Sequence, residues 1–529
     1  MKPARVTAEA ARRRLLAGGE IALLDVREAA AFGDGHPLFA IPCPYGRLEL
    51  SAVALVPRRD CPLLLVDDDD GVAERAARRL AACGYTDITL VIGGVPAWKA
   101  TGYGLFAGVN VPSKTLGELL EHAHHPRTID APTLAQWQRE GRAHLFFDAR
   151  PPAEYAKMRI GGARCVPNGE LAHRLATVAT DDETPIVITC AGRTRGIVGA
   201  LGLRALGVRN PVYALENGTQ GWALAGLPLD RGARADPLPT LDAAATAASR
   251  ARAARLIDAS GLTRTDVAGA SALLAEPGRT PFLFDLRNVQ ERADRPAPGA
   301  VPVLAGQLIQ ATDQYVGVRN ARLVLMDDTG LRAGLAGLFL RALGYEVHVL
   351  ALDDEPGAGV PVVPAPQLMP PAPPPMVDPR VAWARAGDGF PLFDLRSSSE
   401  WEERRLVCAR WSMRVDLPGP LPPGTSRVLL QGEAGVVAGA ARDLAEIGIT
   451  AEWLAADLDT CAAAGWPVEA MRRPLGRDKA RDRVWFVHDR HDGNAEASRR
   501  YLAWETGLIA QLDAEERATF GTIPIDALA

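Results

Sequence analysis

The sequence predicts an α/β protein of four small domains in tandem, each a short parallel sheet flanked by helices, followed by a helical C-terminal tail. Three recurring features carry this. An apolar strand ending in Asp-x-Arg occurs four times: ALLDVRE at Asp25 and Arg27, LFFDARP at Asp148 and Arg150, FLFDLRN at Asp285 and Arg287, and PLFDLRS at Asp394 and Arg396. Downstream of each, a second apolar strand runs into a short polar loop and an Ala/Leu-rich helix that stops at glycine: LLLVDDDDGVAERAARRLAACG, IVITCAGRTRGIVGALGLRALG, LVLMDDTGLRAGLAGLFLRALG and VLLQGEAGVVAGAARDLAEIG. A third apolar strand and a Gly/Trp turn close the unit, with Trp98, Trp222 and Trp466 in the turns and no tryptophan in the third copy.

Short, almost wholly apolar strands alternating with helices indicate parallel strands covered on both faces. The tryptophans, in glycine-containing turns, are assigned to packing at the edge of a small sheet. Composition shifts place the domains at 1–107, 108–231, 232–365 and 366–475, with a tail over 476–529. The Pro-rich run VPVVPAPQLMPPAPPPMVDP reads as an extended spacer. In the tail, Tyr501, Leu508, Ile509 and Leu512 recur at helical spacing, as in an amphipathic helix docked on a domain.

The copies align by spacing. From the Asp of Asp-x-Arg to the first loop residue the chain runs 25 to 67, 148 to 190 and 285 to 327, a separation of 42 each time, and 394 to 431, a separation of 37, in the fourth. Asp67, Cys190 and Asp327 are thereby equivalent, and pattern rather than spacing adds Gln431.

With 529 residues, 47% hydrophobic and 23% charged, the chain has room for three to five globular domains. A net charge of -5 argues against nucleic acid and anionic lipid as partners. The N-terminus lacks the apolar core of a signal peptide, and no uncharged run is long enough to cross a bilayer, so a soluble cytoplasmic protein is expected. Seven cysteines without CxxC spacing suggest neither a disulfide framework nor a zinc site. Six of them, Cys165 in GGARCVP included, are assigned to packing. His122, His124 and His125 in EHAHHP lack an acidic or thiol partner and read as a solvated connector, with GELLEH as the end of a linker helix. Neither metal nor cofactor is expected.

Cys190 is the exception. It follows a strand directly, and AGRTR leads into a helix beginning near Thr194, a context in which successive backbone N–H groups converge on an anion. The helix dipole and the neighbouring Arg193 and Arg195 would stabilise a thiolate and lower the thiol pKa. Such a cysteine is a nucleophile at neutral pH.

Asp-x-Arg, the six-residue Cys-x-x-x-x-Arg loop and the downstream Gly-Trp turn resemble the rhodanese (thiosulfate sulfurtransferase) family, as four rhodanese-like domains in tandem to about residue 470. The resemblance implies a persulfide mechanism: Cys190 takes the outer sulfur of thiosulfate or a similar small anionic donor, and a thiol, a protein sulfur acceptor or cyanide then removes it. It makes Cys190 catalytic and assigns Ala191, Gly192, Arg193, Thr194, Arg195 and Arg150 to substrate binding, with Asp148 in support. Arg195 matches the loop-closing basic position, and Arg193 adds charge for the donor. For Arg150 a structural role, as an Arg-Glu pair with Glu154, is favoured, because Asp-x-Arg recurs in copies without cysteine. Glu291 and Glu400 also recur at the same offset.

The first copy offers Asp67-Asp-Asp-Asp-Gly-Val, whose negative charge would repel an anionic donor; the third, Asp327-Asp-Thr-Gly-Leu-Arg332, keeps the arginine without the nucleophile. Aspartate at the cysteine position resembles inactive domains of tandem rhodaneses, the carboxylate accepting the same loop N–H bonds. The fourth loop, QGEAGVV, has neither sulfur nor arginine, so one active site per chain is expected. Three alternatives stay open: 3-mercaptopyruvate as donor, a non-catalytic sulfur-relay or binding module, and a cysteine-dependent phosphatase, whose similar loop is one residue longer.

Overall fold

The structure, a computed structural model, describes residues 3–179, 181–354, 359–361, 363, 371–419, 421–471 and 473–528. The expected spacer at 360–379 therefore lies partly, at 362 and 364–370, outside the described residues. The chain forms two compact units: residues 1–15, 21–108 and 366–486, and residues 16–20, 109–365 and 487–529.

Among the described residues each unit holds two larger sheets, all four built on one plan, and one two-stranded antiparallel ribbon, Arg405–Leu406 with Val468–Glu469 in the first unit and Arg159–Ile160 with Leu229–Asp230 in the second. In the first unit the strands lie side by side as Ala4–Val6, Ile88–Val91, Leu63–Val66, Ala22–Asp25 and Ala40–Pro42, all parallel. Numbered along the chain, that order is 1-5-4-2-3. The second unit repeats it twice, with Thr128–Ile129, Val212–Leu215, Ile186–Thr189, Leu145–Asp148 and Arg164–Cys165, then with Thr263–Thr265, Glu346–Ala351, Arg322–Asp327, Phe282–Asp285 and Val301–Pro302. The remaining sheet of the first unit has Thr450–Leu454, Arg427–Gln431, Leu392–Asp394 and Arg410–Trp411 in the same order, and a single Met376–Trp453 bridge where the others have a first strand. Central strands such as LLLV at 63–66 and IVIT at 186–189 are buried at every residue, as strands with both faces covered must be.

Register corrects one alignment. Asp25 pairs with Val66, Asp148 with Thr189 and Asp285 with Met326, in each case the residue before the loop position. In the fourth sheet Asp394 pairs with Gln431, and Leu395 N–H donates to the Gln431 carbonyl as Ala149 N–H does to that of Thr189. Gln431 is therefore the counterpart of Thr189, and Gly432, not Gln431, stands at the cysteine position.

The Asp-x-Arg element is a latch. The Arg150 Nε and Nη2 fork onto Asp148 at 2.9 and 2.6 Å, and Nη2 also donates to the Met158 carbonyl, eight residues on, at 2.6 Å. Arg27 bonds Asp25 and the Gly35 carbonyl in the same way, Arg287 bonds Asp285 and that of Arg295, and Arg396 bonds Asp394 and that of Arg404. A bidentate pair plus a carbonyl ties the end of the second strand to the chain that follows the next helix. Trp98, Trp222 and Trp466 are buried, and the indole N–H groups of Trp222 and Trp466 donate to the Pro228 and Pro379 carbonyls.

Two local expectations change. The helix Val111–His124 runs through the first two histidines, so only His125, in a left-handed conformation at its C-cap, lies in the connector. In the tail, the amphipathic pattern is split: the helix Ala495–Thr506 stops at Gly507, Leu508 and Ile509 begin a separate short helix, and Leu512 caps it. No described helix is long and apolar enough to cross a membrane.

Candidate active site

Cys190 sits at the C-terminal end of the strand Ile186–Thr189, and Ala191, Gly192 and Arg193 turn the chain into the helix Thr194–Ala205. The backbone N–H groups of Gly192 and Gly196 act on its sulfur in the direction that favours the thiolate. The loop is tied down from behind by the Gly/Trp turn: Thr219 N–H donates to the Cys190 carbonyl at 2.9 Å and Gln220 N–H to that of Ala191 at 3.2 Å. This approach requires Gly218, with φ of +51°, because a β-carbon there would lie 2.2 Å from the Cys190 oxygen.

The first copy shows the same cradle around a carboxylate. Asp67 accepts from Asp69 N–H at 3.0 Å and Ala73 N–H at 2.9 Å, the second and sixth residues on, as Gly192 and Gly196 are from Cys190. In the third copy Asp327 accepts from Gly330 and Arg332 N–H at 2.6 and 3.0 Å and from Arg332 Nε at 3.1 Å. The first copy thus uses the loop positions found around Cys190, whereas the third holds its carboxylate from the third and fifth residues on.

The loop arginines are spent on carboxylates. Arg195 forks onto Glu154 at 2.7 and 2.8 Å, so the partner of Glu154 is Arg195 and not Arg150. Arg193 bonds Glu118 at 2.7 and 3.1 Å and also pairs with Glu121. Arg150, 1% exposed, is held by Asp148 and the Met158 carbonyl. Thr194 donates from Oγ1 to Glu505 Oε1 at 2.7 Å.

Glu505 and Tyr501 arrive on the tail helix Ala495–Thr506 and stand against Gly192: a β-carbon at Gly192 would lie 3.1 Å from Tyr501 Cε1 and 3.2 Å from Glu505 Oε2. The sequence pattern places Tyr501 only on an apolar face and does not single out Glu505, Glu118 or Gln220. The sole local signal is Glu505, one helical turn from Tyr501.

The expectation of a lowered cysteine pKa is overturned. Cys190 is 2% exposed, and burial, the largest effect, pushes its thiol up; the Glu505 carboxylate adds to this, while Arg195 and the Gly196 and Gly192 N–H groups oppose it. Desolvation of a charged sulfur outweighs the cradle. Cys165 is buried too, its thiol pushed up to about 12 mainly by burial, and it donates to the Arg150 carbonyl, 3.5 Å away. A cavity of 1170 Å³ in the second unit is lined by Cys165, Arg174, Glu291, Gln307 and Asp328 among others, but not by Cys190. Among the described residues no group of three or more metal-ligating side chains is assembled.

A family model described as "Rhodanese-like domain" matches residues 7–101 and 130–225. The crystal structure of a thiosulfate sulfurtransferase from Pseudomonas aeruginosa superposes with a TM-score of 0.89 at 36% identity, covering 98% of this chain and 100% of that one. An HTH-type transcriptional regulator, Rv0324, from Mycobacterium tuberculosis is 37% identical over 106 residues, 20% of this chain and 46% of that protein. The chain thus spans about half the length of that curated relative.

Proposed function

Because the chain belongs to the rhodanese family, we propose that it is a sulfurtransferase whose Cys190 receives a sulfane sulfur from thiosulfate or a similar donor. A thiophilic acceptor, cyanide or a thiol, then takes it. One observation carries the reading: of the four positions aligned by sheet register, Asp67, Cys190, Asp327 and Gly432, Cys190 alone is a nucleophile, and it sits within the N–H cradle. In this reading residues 108–231 are the catalytic domain, and 1–107, 232–365 and 366–475 are non-catalytic copies.

The chemistry divides into two displacements. The thiol first loses its proton to solvent water, the anion being stabilised by Arg195 and the Gly192 and Gly196 N–H groups. The thiolate attacks the outer sulfur of thiosulfate; the S–S bond of the donor breaks and sulfite leaves with its electron pair. The outer sulfur, now bound to Cys190, carries charge within reach of the same N–H groups. Cyanide then attacks it, thiocyanate departs, and the electron pair of the broken bond returns to Cys190. Arg195, fixed by Glu154, orients the loop and supplies positive potential.

Turnover of thiosulfate with cyanide, set beside hydrolysis of an aryl phosphate, tests this. Thiocyanate release with ping-pong kinetics is expected; aryl phosphate hydrolysis alone would replace the sulfurtransferase reading by a phosphatase.

A further inference from the structure

Two buried oxygen atoms beside the Cys190 loop accept no hydrogen bond from the described residues: Glu505 Oε2 and Gln220 Oε1. Their residues are 1% and 3% exposed, and both side chains face Gly192, where a β-carbon would lie 3.2 Å from Glu505 Oε2 and 3.4 Å from Gln220 Nε2. The Gln220 amide is oriented by its own bond, Nε2 donating to the Ala191 carbonyl at 3.2 Å, which leaves the oxygen as the open acceptor. On Glu505, Oε1 is taken by Thr194 Oγ1, and the Tyr501 phenol acts on the carboxylate without bonding Oε2.

Arg193 and Lys114 feel the Glu505 charge through space, but among the described residues neither donates to Oε2: Arg193 bonds Glu118 and Glu121, Lys114 the Val109 carbonyl at 2.7 Å, and the other loop cation, Arg195, bonds Glu154. The tail helix carries Glu505 with Tyr501, whose ring has Lys114 Nζ 5.2 Å and the Arg490 guanidinium 4.6 Å from its centroid. Buried acceptors without donors are costly and point to a ligand that supplies donors. A carboxylate oxygen and an amide oxygen together ask for a group that donates more than once and carries positive charge. Thiosulfate and cyanide have no such group; an ammonium has three N–H donors.

We propose that Glu505 and Gln220 form an ammonium subsite beside Cys190, and that the sulfur acceptor is a thiol bearing an ammonium group. This rests on the persulfide reading above. The acceptor thiolate attacks the outer sulfur of Cys190-S-SH, the S–S bond breaks, its electron pair returns to Cys190 as thiolate, and the acceptor leaves as R-S-SH. No oxidant or reductant is consumed.

The test is a discharge experiment on the full chain. Cys190 is loaded with thiosulfate or, separately, with inorganic polysulfide, freed of excess donor, and mixed with cysteamine or 2-mercaptoethanol, thiols of equal length that differ in the ammonium. The ratio of the two discharge rates is compared between wild type, Glu505→Gln and Glu505→Asp, which cancels the intrinsic difference between the thiols. Loss of one charge-assisted contact should lower the cysteamine preference about tenfold in Glu505→Gln. Glu505→Asp should retain part of it and carries the comparison if the glutamine variant does not fold. An unchanged ratio overturns the subsite and means that water fills it. Failure of both donors to load Cys190 would instead overturn the sulfurtransferase reading, and loading by polysulfide alone would overturn only thiosulfate as donor, with the ratio still deciding the subsite.

Discussion

Arg195 and Glu154 meet through both guanidinium Nη atoms, at 2.7 and 2.8 Å, and Arg332 and Glu291 repeat the pair in the third copy at 2.5 Å. Arg195 is the fifth residue after Cys190 and Arg332 the fifth after Asp327, while Glu154 and Glu291 are each the sixth after the Asp of Asp-x-Arg. The pair joins the loop helix to the helix following Asp-x-Arg. The third copy, with aspartate at the cysteine position, turns the equivalent arginine onto Asp327 as well, at 3.1 Å from Nε.

Arg195 lowers the pKa of Cys190, so its removal should act on the sulfur. Arg195→Ala is expected to slow alkylation of Cys190 by iodoacetamide at neutral pH by about tenfold, the equivalent of one pKa unit. Glu154 is partly exposed and can rehydrate, so the thermal midpoint should move little. A large drop in midpoint with unchanged alkylation would make Arg195 a purely structural residue.

Arg150 should behave in the opposite way. Truncating one member of a buried ion pair costs about 3–5 kcal/mol because the other charge stays behind, and Asp148 is fully buried. Arg150→Met is expected to lower the thermal midpoint markedly, whereas Arg396→Met, at the more exposed copy of the latch, should cost less. A variant at Arg150 with native stability and a raised KM for thiosulfate would return this residue to the substrate.

The contrast between these arginines shows what is legible in the sequence. The 42-residue spacing places Asp67, Cys190 and Asp327 together, and strand register agrees, because Asp25, Asp148 and Asp285 each pair with the residue just before that position. Where the fourth copy shortens, the count no longer applies and the loop pattern, which points to Gln431, is off by one residue; backbone pairing reveals Gly432. The partner of Glu154 is not legible, since Asp-x-Arg offers a nearer arginine and the true one lies 41 residues away. Nor is the tail legible: Glu505 reaches Thr194 across 311 residues, and no local pattern encodes such a contact. The pKa of Cys190 takes the wrong sign when read from the sequence, because the loop charges are written there and burial is not.

Its pH dependence follows. Burial and Glu505 raise the thiol pKa, so the thiol is protonated at neutral pH and the thiolate fraction grows as pH rises. The rate of Cys190 alkylation is expected to climb from neutral pH into the alkaline range. Glu505→Gln removes one of the raising causes, so its profile should shift to lower pH, with faster reaction at pH 7. A wild-type profile already flat above pH 6 would mean that the Cys190 thiol is lowered and not raised.

The first copy holds the cradle but has Asp68, Asp69 and Asp70 beside it and no arginine at the fifth position after Asp67. Asp67→Cys, placed in a Cys190→Ser background, is therefore expected to restore no thiosulfate:cyanide turnover, although the new thiol should fit the N–H groups of Asp69 and Ala73. Recovery of turnover would show that the cradle alone suffices.

The most direct measurement is mass spectrometry of the intact chain and its peptides after incubation with thiosulfate. One added sulfur on the peptide carrying Cys190 is predicted, absent from Cys190→Ser and retained in Cys165→Ser. Sulfur mapped to Cys165 or elsewhere, or no added sulfur with any sulfane donor, would contradict the assignment of Cys190 as the site of sulfur transfer.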